Sequence, residues 1–130
     1  MALIEIGFPE GKKVSAKIKE FEIITDQPVN EGGDGETASP FDLFLSSIAT
    51  CTGFYALRFC ESKGIEMKGM KMELDTEFDE KKGLIGKISL NLTLPRNFPK
   101  KYEKAIVRSM NLCTVKKHII NSPEFEIKAH

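Results

Sequence analysis

The sequence has no net charge: 19 lysines and arginines are matched by 19 aspartates and glutamates in 130 residues. This balance removes the electrostatic basis for a nucleic-acid partner, because a phosphate backbone is held by an excess of basic side chains. The lysine pairs at 12–13, 81–82, 100–101 and 116–117 are scattered and fit solvated faces. Cysteine is scarce as well. Cys51, Cys60 and Cys113 are too few and too unevenly spaced for a secreted disulfide scaffold. The predicted compartment is therefore a reducing cytoplasm, where a cysteine pair serves catalysis or burial. The opening MALIEIGFPEGKK has too short an apolar run for a secretory segment. Asp42, Ser46, Ser47, Thr50, Thr52 and Arg58 interrupt the apolar stretch from Phe41 to Phe59, so no membrane association is expected.

Motifs for several chemistries are also missing. No CxxC or HxxxH pair occurs, Cys113 and His118 are five positions apart, and His130 is terminal, so no metal site is expected. No GxSxG is present, and His118 lies beside Lys116 and Lys117, on a predicted solvated helix face. The GGDG at 32–35 lacks both phosphate-loop patterns and is expected to form a flexible turn. No internal repeat or low-complexity stretch appears.

What remains is a globular composition, 41% hydrophobic and 29% charged, expected to fold as a single domain over residues 1–130. A chain of this length buries about two thirds of the surface it exposes when unfolded. Its organising stretch is Ser39–Gly64. Ser39 suits an N-cap, Pro40 the first helical position, Asp42 a capping-box variant and Gly64 the left-handed residue that closes a helix. Apolar residues occupy nearly every face between those ends, which predicts a buried central helix.

Around that helix, Leu3–Phe8 and Val14–Ile18 alternate as strands, and Phe21–Thr25 continues the second or forms a third. The loop 26–38 is long enough to suggest function or disorder. Ile65–Phe78 alternates with one phase slip, which a bulge at Gly69 would explain. Asp79–Gly83 is a hairpin loop leading into Leu84–Leu94. An amphipathic helix is expected from about Pro99, and Cys113 either continues it or opens a second helix over Thr114–Ile120. Phe125 and Ile127 suggest a final strand. Because the strands are contiguous rather than alternating with helices, the predicted class is α+β with a mostly antiparallel sheet.

Cys51 and Cys60 are nine positions apart, on roughly opposite sides of the helix, so they cannot pair without unwinding it. Cys60 fits a small apolar filler. Cys51 shares a face with Phe44, Ile48, Tyr55 and Arg58, and a cation two turns away hints weakly at a stabilised thiolate. At a helix N-terminus, Cys113 would have its thiolate favoured by unpaired N–H groups. Spacing alone leaves both packing and a two-cysteine redox cycle open.

SPFDLFLSSIATCTGFYAL (39–57), preceded by GGDGETA (32–38), resembles the approach to the central helix of the OsmC/Ohr family of thiol peroxidases. NLCTVKKHI (111–119) resembles that family's second cysteine segment, and the order of elements and the FEI near the end match as well. The SP-x-[DE]-L pattern and short N-terminal part look most like the YhfA-type OsmC-like branch. The resemblance implies an OsmC-like fold, a sheet around a long buried central helix in an intertwined homodimer with its sites at the interface. It places Cys51 at the peroxidatic position and Cys113 at the resolving one. The implied reaction reduces organic hydroperoxides to alcohols, with an external dithiol restoring the enzyme and with no metal, haem or flavin cofactor.

Two positions depart from the pattern. The family's peroxidases carry an N-terminal arginine that holds the reactive thiolate, whereas here no arginine precedes Arg58, and only Lys12, Lys13, Lys17 or Lys19 could stand in. They also carry a glutamate ten positions before the cysteine, where this chain has Phe41. These departures define the alternative: a family fold that binds a small apolar ligand or senses redox state without efficient turnover.

Overall fold

Eight regular elements follow one another in the computed structural model, which describes residues 2–130. They are β1 (Ile4–Gly7), β2 (Val14–Ile18), β3 (Phe21–Thr25), α1 (Pro40–Lys63), β4 (Lys71–Asp79), β5 (Leu84–Thr93), α2 (Glu103–Met110) and α3 (Thr114–Ile120). Single 3-10 turns occur at Val29–Glu31 and Lys100–Tyr102. All strand pairing is antiparallel, in two separate sheets of order β1-β2-β3 and β4-β5. The α+β class is as expected, although the single sheet is divided. The chain forms two compact units, residues 1–46 and 47–130, with the boundary inside α1.

α1 starts where its caps require. Ser39 N–H donates to Asp42 Oδ2 at 3.0 Å and Asp42 N–H to Ser39 Oγ at 3.1 Å, a reciprocal capping box. Gly64, at φ 67°, takes the left-handed position that ends the helix. Burial along α1 is narrower than expected. Only Ile48, Thr52, Ala56 and Cys60 are buried, one stripe at four-residue spacing, while Phe41, Phe44, Phe54 and Leu57 are exposed in the single chain. By length and composition alone α1 could cross a membrane. Ala56 and Cys60 of its stripe are instead packed into a protein core.

In the first unit, β2 and β3 are distinct strands joined at Lys19–Glu20, where Lys19 has φ 55°. The unit is held together by charge. Lys13, only 9% exposed, reaches Asp26, Asp34 and Glu36 at 3.5, 3.2 and 3.7 Å. Asp26, 1% exposed, also accepts the N–H groups of Gln27 at 2.8 Å and Glu36 at 3.3 Å. The Gln27 N–H above all, with that of Glu36 and the Lys13 charge, outweighs burial and lowers the Asp26 pKa. The hydrogen bond to Asp34 outweighs desolvation and raises that of Lys13. The GGDG segment is a hydrogen-bonded turn here: Gly33 N–H donates to Pro28 O and Gly35 N–H to Gln27 O, each at 3.1 Å. A Cβ on Gly33 would lie 1.9 Å from Gln27 O, so the loop closes around an atom that only glycine lacks.

In the second unit, Ala56, Cys60, Phe98, Ile106 and Met110 form the buried cluster, with Phe59, Met72, Leu92 and Tyr102 packed around it. Burying a side chain such as Ile106 contributes about 1.5–3 kcal/mol. The expected bulge at Gly69 is not there. Gly69, at φ 85°, lies in a turn closed by Met70 N–H to Met67 O at 2.9 Å, and β4 begins only at Lys71. The irregularity is on the other strand: pairing steps from Phe78–Ile85 to Glu77–Lys87 and skips Gly86. The Asp79–Gly83 loop is as expected, closed by Gly83 N–H to Asp79 O at 2.8 Å. The expected final strand does not form. Phe125 and Ile127 are exposed with no strand beside them, and alternation without a ladder partner does not make a strand.

Candidate functional site

The chain between α2 and α3 settles the ambiguity around Cys113. Asn111 N–H bonds back to Val107 O at 3.1 Å, Leu112 N–H to Ser109 O at 3.0 Å and Cys113 N–H to Met110 O at 3.3 Å, after which the backbone turns out. Cys113 (φ −47°, ψ 121°) is the N-cap of α3, and its Sγ accepts the Lys116 N–H at 3.5 Å. Sulfur thus takes the place that a serine or threonine oxygen fills in an ordinary cap. Asn111 braces this corner: its Nδ2 donates to Val107 O at 3.2 Å, and its Oδ1 accepts from Lys116 Nζ.

α1 brings the second thiol to the same sulfur. The Cys51 and Thr52 side chains lie close enough to Cys113 to favour its thiolate, while the Thr52 hydroxyl donates to Ile48 O at 2.8 Å. Cys113 is fully buried, and burial alone would push its pKa up. The Lys116 N–H, the Cys51 and Thr52 side chains and the Val115 N–H outweigh that and lower it. Cys51 is half-buried, and all three cysteines are free thiols. The structure therefore brings Cys51 and Cys113 together, although 62 positions separate them. Beside them, Thr52, Asn111 and Lys116 with Ile88, Leu90 and Val107 line a cavity of about 250 Å³.

Other candidates lie elsewhere. Cys60 is fully buried in the core cluster, where desolvation raises its pKa. His118 is exposed, with Nδ1 2.8 Å from Thr114 O. Lys13 is committed to its three carboxylates, and Arg58 makes no ion pair or hydrogen bond among the described residues. No group of three or more His, Cys, Asp or Glu side chains converges among the described residues as a metal site would require.

Sequence reasoning did not single out Thr52, Asn111 or Lys116, and it placed Tyr55 on the Cys51 face without its partner, Thr114 Oγ1 at 3.1 Å from the Tyr55 hydroxyl. A signal existed for Lys116, since a cap at Cys113 accepts from the residue three positions on.

With this geometry goes a family match, residues 33–128 fitting the model for OsmC-like protein. The chain belongs to the OsmC family. Solved structures share the fold. A protein of Psychrobacter arcticus 273-4 assigned to the osmotic-stress and detoxification response superposes with a TM-score of 0.74 at 24% identity, covering 90% of this chain and 87% of that one. The OsmC-like protein of Mycoplasma pneumoniae gives 0.70 at 18% identity, covering 92% and 86%. An organic hydroperoxide resistance protein of Elizabethkingia anophelis, with thiocyanate bound, gives 0.60 at 17% identity, covering 91% and 89%. No curated protein matches the chain.

Proposed function

We propose that this OsmC-family chain is a thiol-dependent peroxidase that reduces organic hydroperoxides to alcohols through Cys51 and Cys113. The observation that carries the reading is the approach of the Cys51 side chain to Cys113, a buried N-cap sulfur whose thiolate form its neighbours favour. Cys51, half-exposed, is the thiol that a peroxide reaches, and it loses its proton to solvent; Cys113, buried beside it, is the sulfur that resolves. The Cys51 thiolate attacks the terminal peroxide oxygen, so an S–O bond forms while the O–O bond breaks and sulfur gives up two electrons. The departing alkoxide takes a proton from solvent and leaves as the alcohol. Cys113 thiolate then attacks the Cys51 sulfenic acid, forming the disulfide, and the expelled hydroxide takes a solvent proton to become water. An external dithiol reduces the disulfide and completes the cycle.

The two sulfurs supply both electrons, so the cycle calls for no metal, haem or flavin. The cell compartment that fits free thiols is the cytoplasm. The exposed apolar side chains of α1 and of β1, Phe54, Leu57, Ile4 and Ile6, support the expected homodimer, which light scattering coupled to size exclusion tests. The second reading, a redox sensor that forms the same disulfide with slow turnover, is favoured by one observation: among the described residues no lysine or arginine side chain hydrogen-bonds Cys51.

Consumption of cumene hydroperoxide with dithiothreitol separates the two readings. The peroxidase turns over steadily, and Cys51→Ser lowers its rate by about 10³-fold or more, as removal of a nucleophile does. Cys113→Ser leaves a sulfenic acid on Cys51 that a cyclic diketone traps. Wild-type turnover no faster than that of Cys51→Ser would sink the peroxidase reading.

A further inference from the structure

The Cys51 face of α1 continues into a groove that the cysteine cycle does not use. Tyr55 is one turn beyond Cys51, Arg58 two turns and Ser62 three, so all four share a face. Ser109 and Leu112, at the end of α2 and just beyond it, close the other side, and with Phe59 these residues enclose about 320 Å³. Phe59 and Leu112 make an apolar wall. The hydroxyls are already engaged: Tyr55 with Thr114 Oγ1 at 3.1 Å, Ser62 with Phe59 O at 2.7 Å and Ser109 with Tyr55 O at 3.4 Å. Arg58 is not. Neither Glu61 nor any other carboxylate pairs with it among the described residues, and Arg58, an exposed residue, lines the groove with its guanidinium donors uncommitted to any protein group.

We infer that Arg58 is a specificity-determining residue that receives the carboxylate of an anionic organic hydroperoxide whose peroxide end lies at Cys51. The inference rests on the peroxidase reading and names the substrate chemistry of that same site. A guanidinium presents a planar fork that matches a carboxylate in two parallel hydrogen bonds. The helix sets the length. Seven residues at about 1.5 Å each put Cys51 and Arg58 about 10 Å apart along the axis. An extended chain advances about 1.2 Å per bond, so about eight bonds separate the peroxide from the carboxylate in a fitting substrate. The apolar wall of Phe59 and Leu112 covers the alkyl segment between them.

The test compares a straight-chain ω-hydroperoxy carboxylate of that length with its methyl ester, for wild type and Arg58→Met. The acid-to-ester ratio is taken within each protein, so any loss of folded protein cancels. Wild type prefers the acid about threefold to tenfold, in KM rather than kcat, because the contact is remote from the reacting atoms and exposed to solvent. The preference shrinks as salt is added. Arg58→Met brings the ratio to one, and Arg58→Lys keeps part of it. Equal use of acid and ester by wild type, or a preference that survives in Arg58→Met, overturns the inference.

If wild type consumes cumene hydroperoxide but neither compound, the inference is overturned. If it consumes none of the three, the peroxidase reading fails, and titration calorimetry with octanoate decides the groove on its own. Octanoate bound about threefold to tenfold more tightly by wild type than by Arg58→Met sustains the anion site. Equal binding, or none by either protein, overturns it.

Discussion

Two polar clusters, one in each unit, set the same kind of donor on two different acids. Around Lys13 the shifts diverge: the carboxylate of Asp26 goes down and the ammonium goes up, so both stay charged across the physiological range. Opposite charges and backbone N–H groups satisfy one another, and no proton is free to move. Around Cys113 the Lys116 N–H and neighbouring side chains lower a thiol pKa against burial, and one of those neighbours is another thiol. Both clusters use the same tool, an N–H aimed at an anion, but the first, a clamp, adds an opposite charge and the second a thiol.

The comparison breaks most visibly if the clamp is forced apart. Gly33→Ala puts a methyl group against Gln27 O, and chemical denaturation should show a loss of about 1–3 kcal/mol, the usual cost of overpacking. The thiol titration of the second unit should stay as it was. Asp26→Asn acts through pH. A depressed aspartate stabilises the fold above the ordinary aspartate pKa, and that contribution is lost as pH falls through its folded value. Thermal melts of the wild type should therefore drop between about pH 5 and pH 2 more steeply than those of the variant, which starts lower at neutral pH. Equal slopes would mean that Asp26 is not the clamp described.

The smallest effect is also the most specific. Cys51→Ala removes one donor from Cys113 and should raise its pKa, read from the ultraviolet absorbance of the thiolate, whereas Cys51→Ser keeps a hydroxyl in place and should raise it less. Identical titrations in the two variants would show that the hydrogen bond between the side chains contributes nothing.

Local chemistry made some of this legible in advance. The ends of α1 followed from Ser39, Pro40, Asp42 and Gly64, and the β4–β5 loop from the acid- and lysine-rich run ending at Gly83, because caps and turns involve residues a few positions apart. Cys113 as a cap belongs to the same class. The Lys13 cluster did not show, because its partners lie 13 to 23 positions away in a loop whose glycines suggested only freedom. Gly69 was misplaced since a phase slip does not distinguish a bulge from a turn that ends before the strand begins. Phe125 and Ile127 alternate as a strand would, but a strand also needs a neighbour, which no local pattern supplies. The apolar surround of α1 was read as burial on all sides, whereas the single chain covers one stripe.

Cys60 has a further consequence. Three thiols can form three different disulfides, and a sulfenic acid reacts with whichever thiol reaches it first. Cys60 lies on the far side of α1 from Cys51, in the core cluster, and is pushed away from the thiolate form by its surroundings, whereas Cys113 is drawn toward that form. Under the proposed cycle, position and thiolate character rather than seclusion leave an oxidised Cys51 one sulfur to meet.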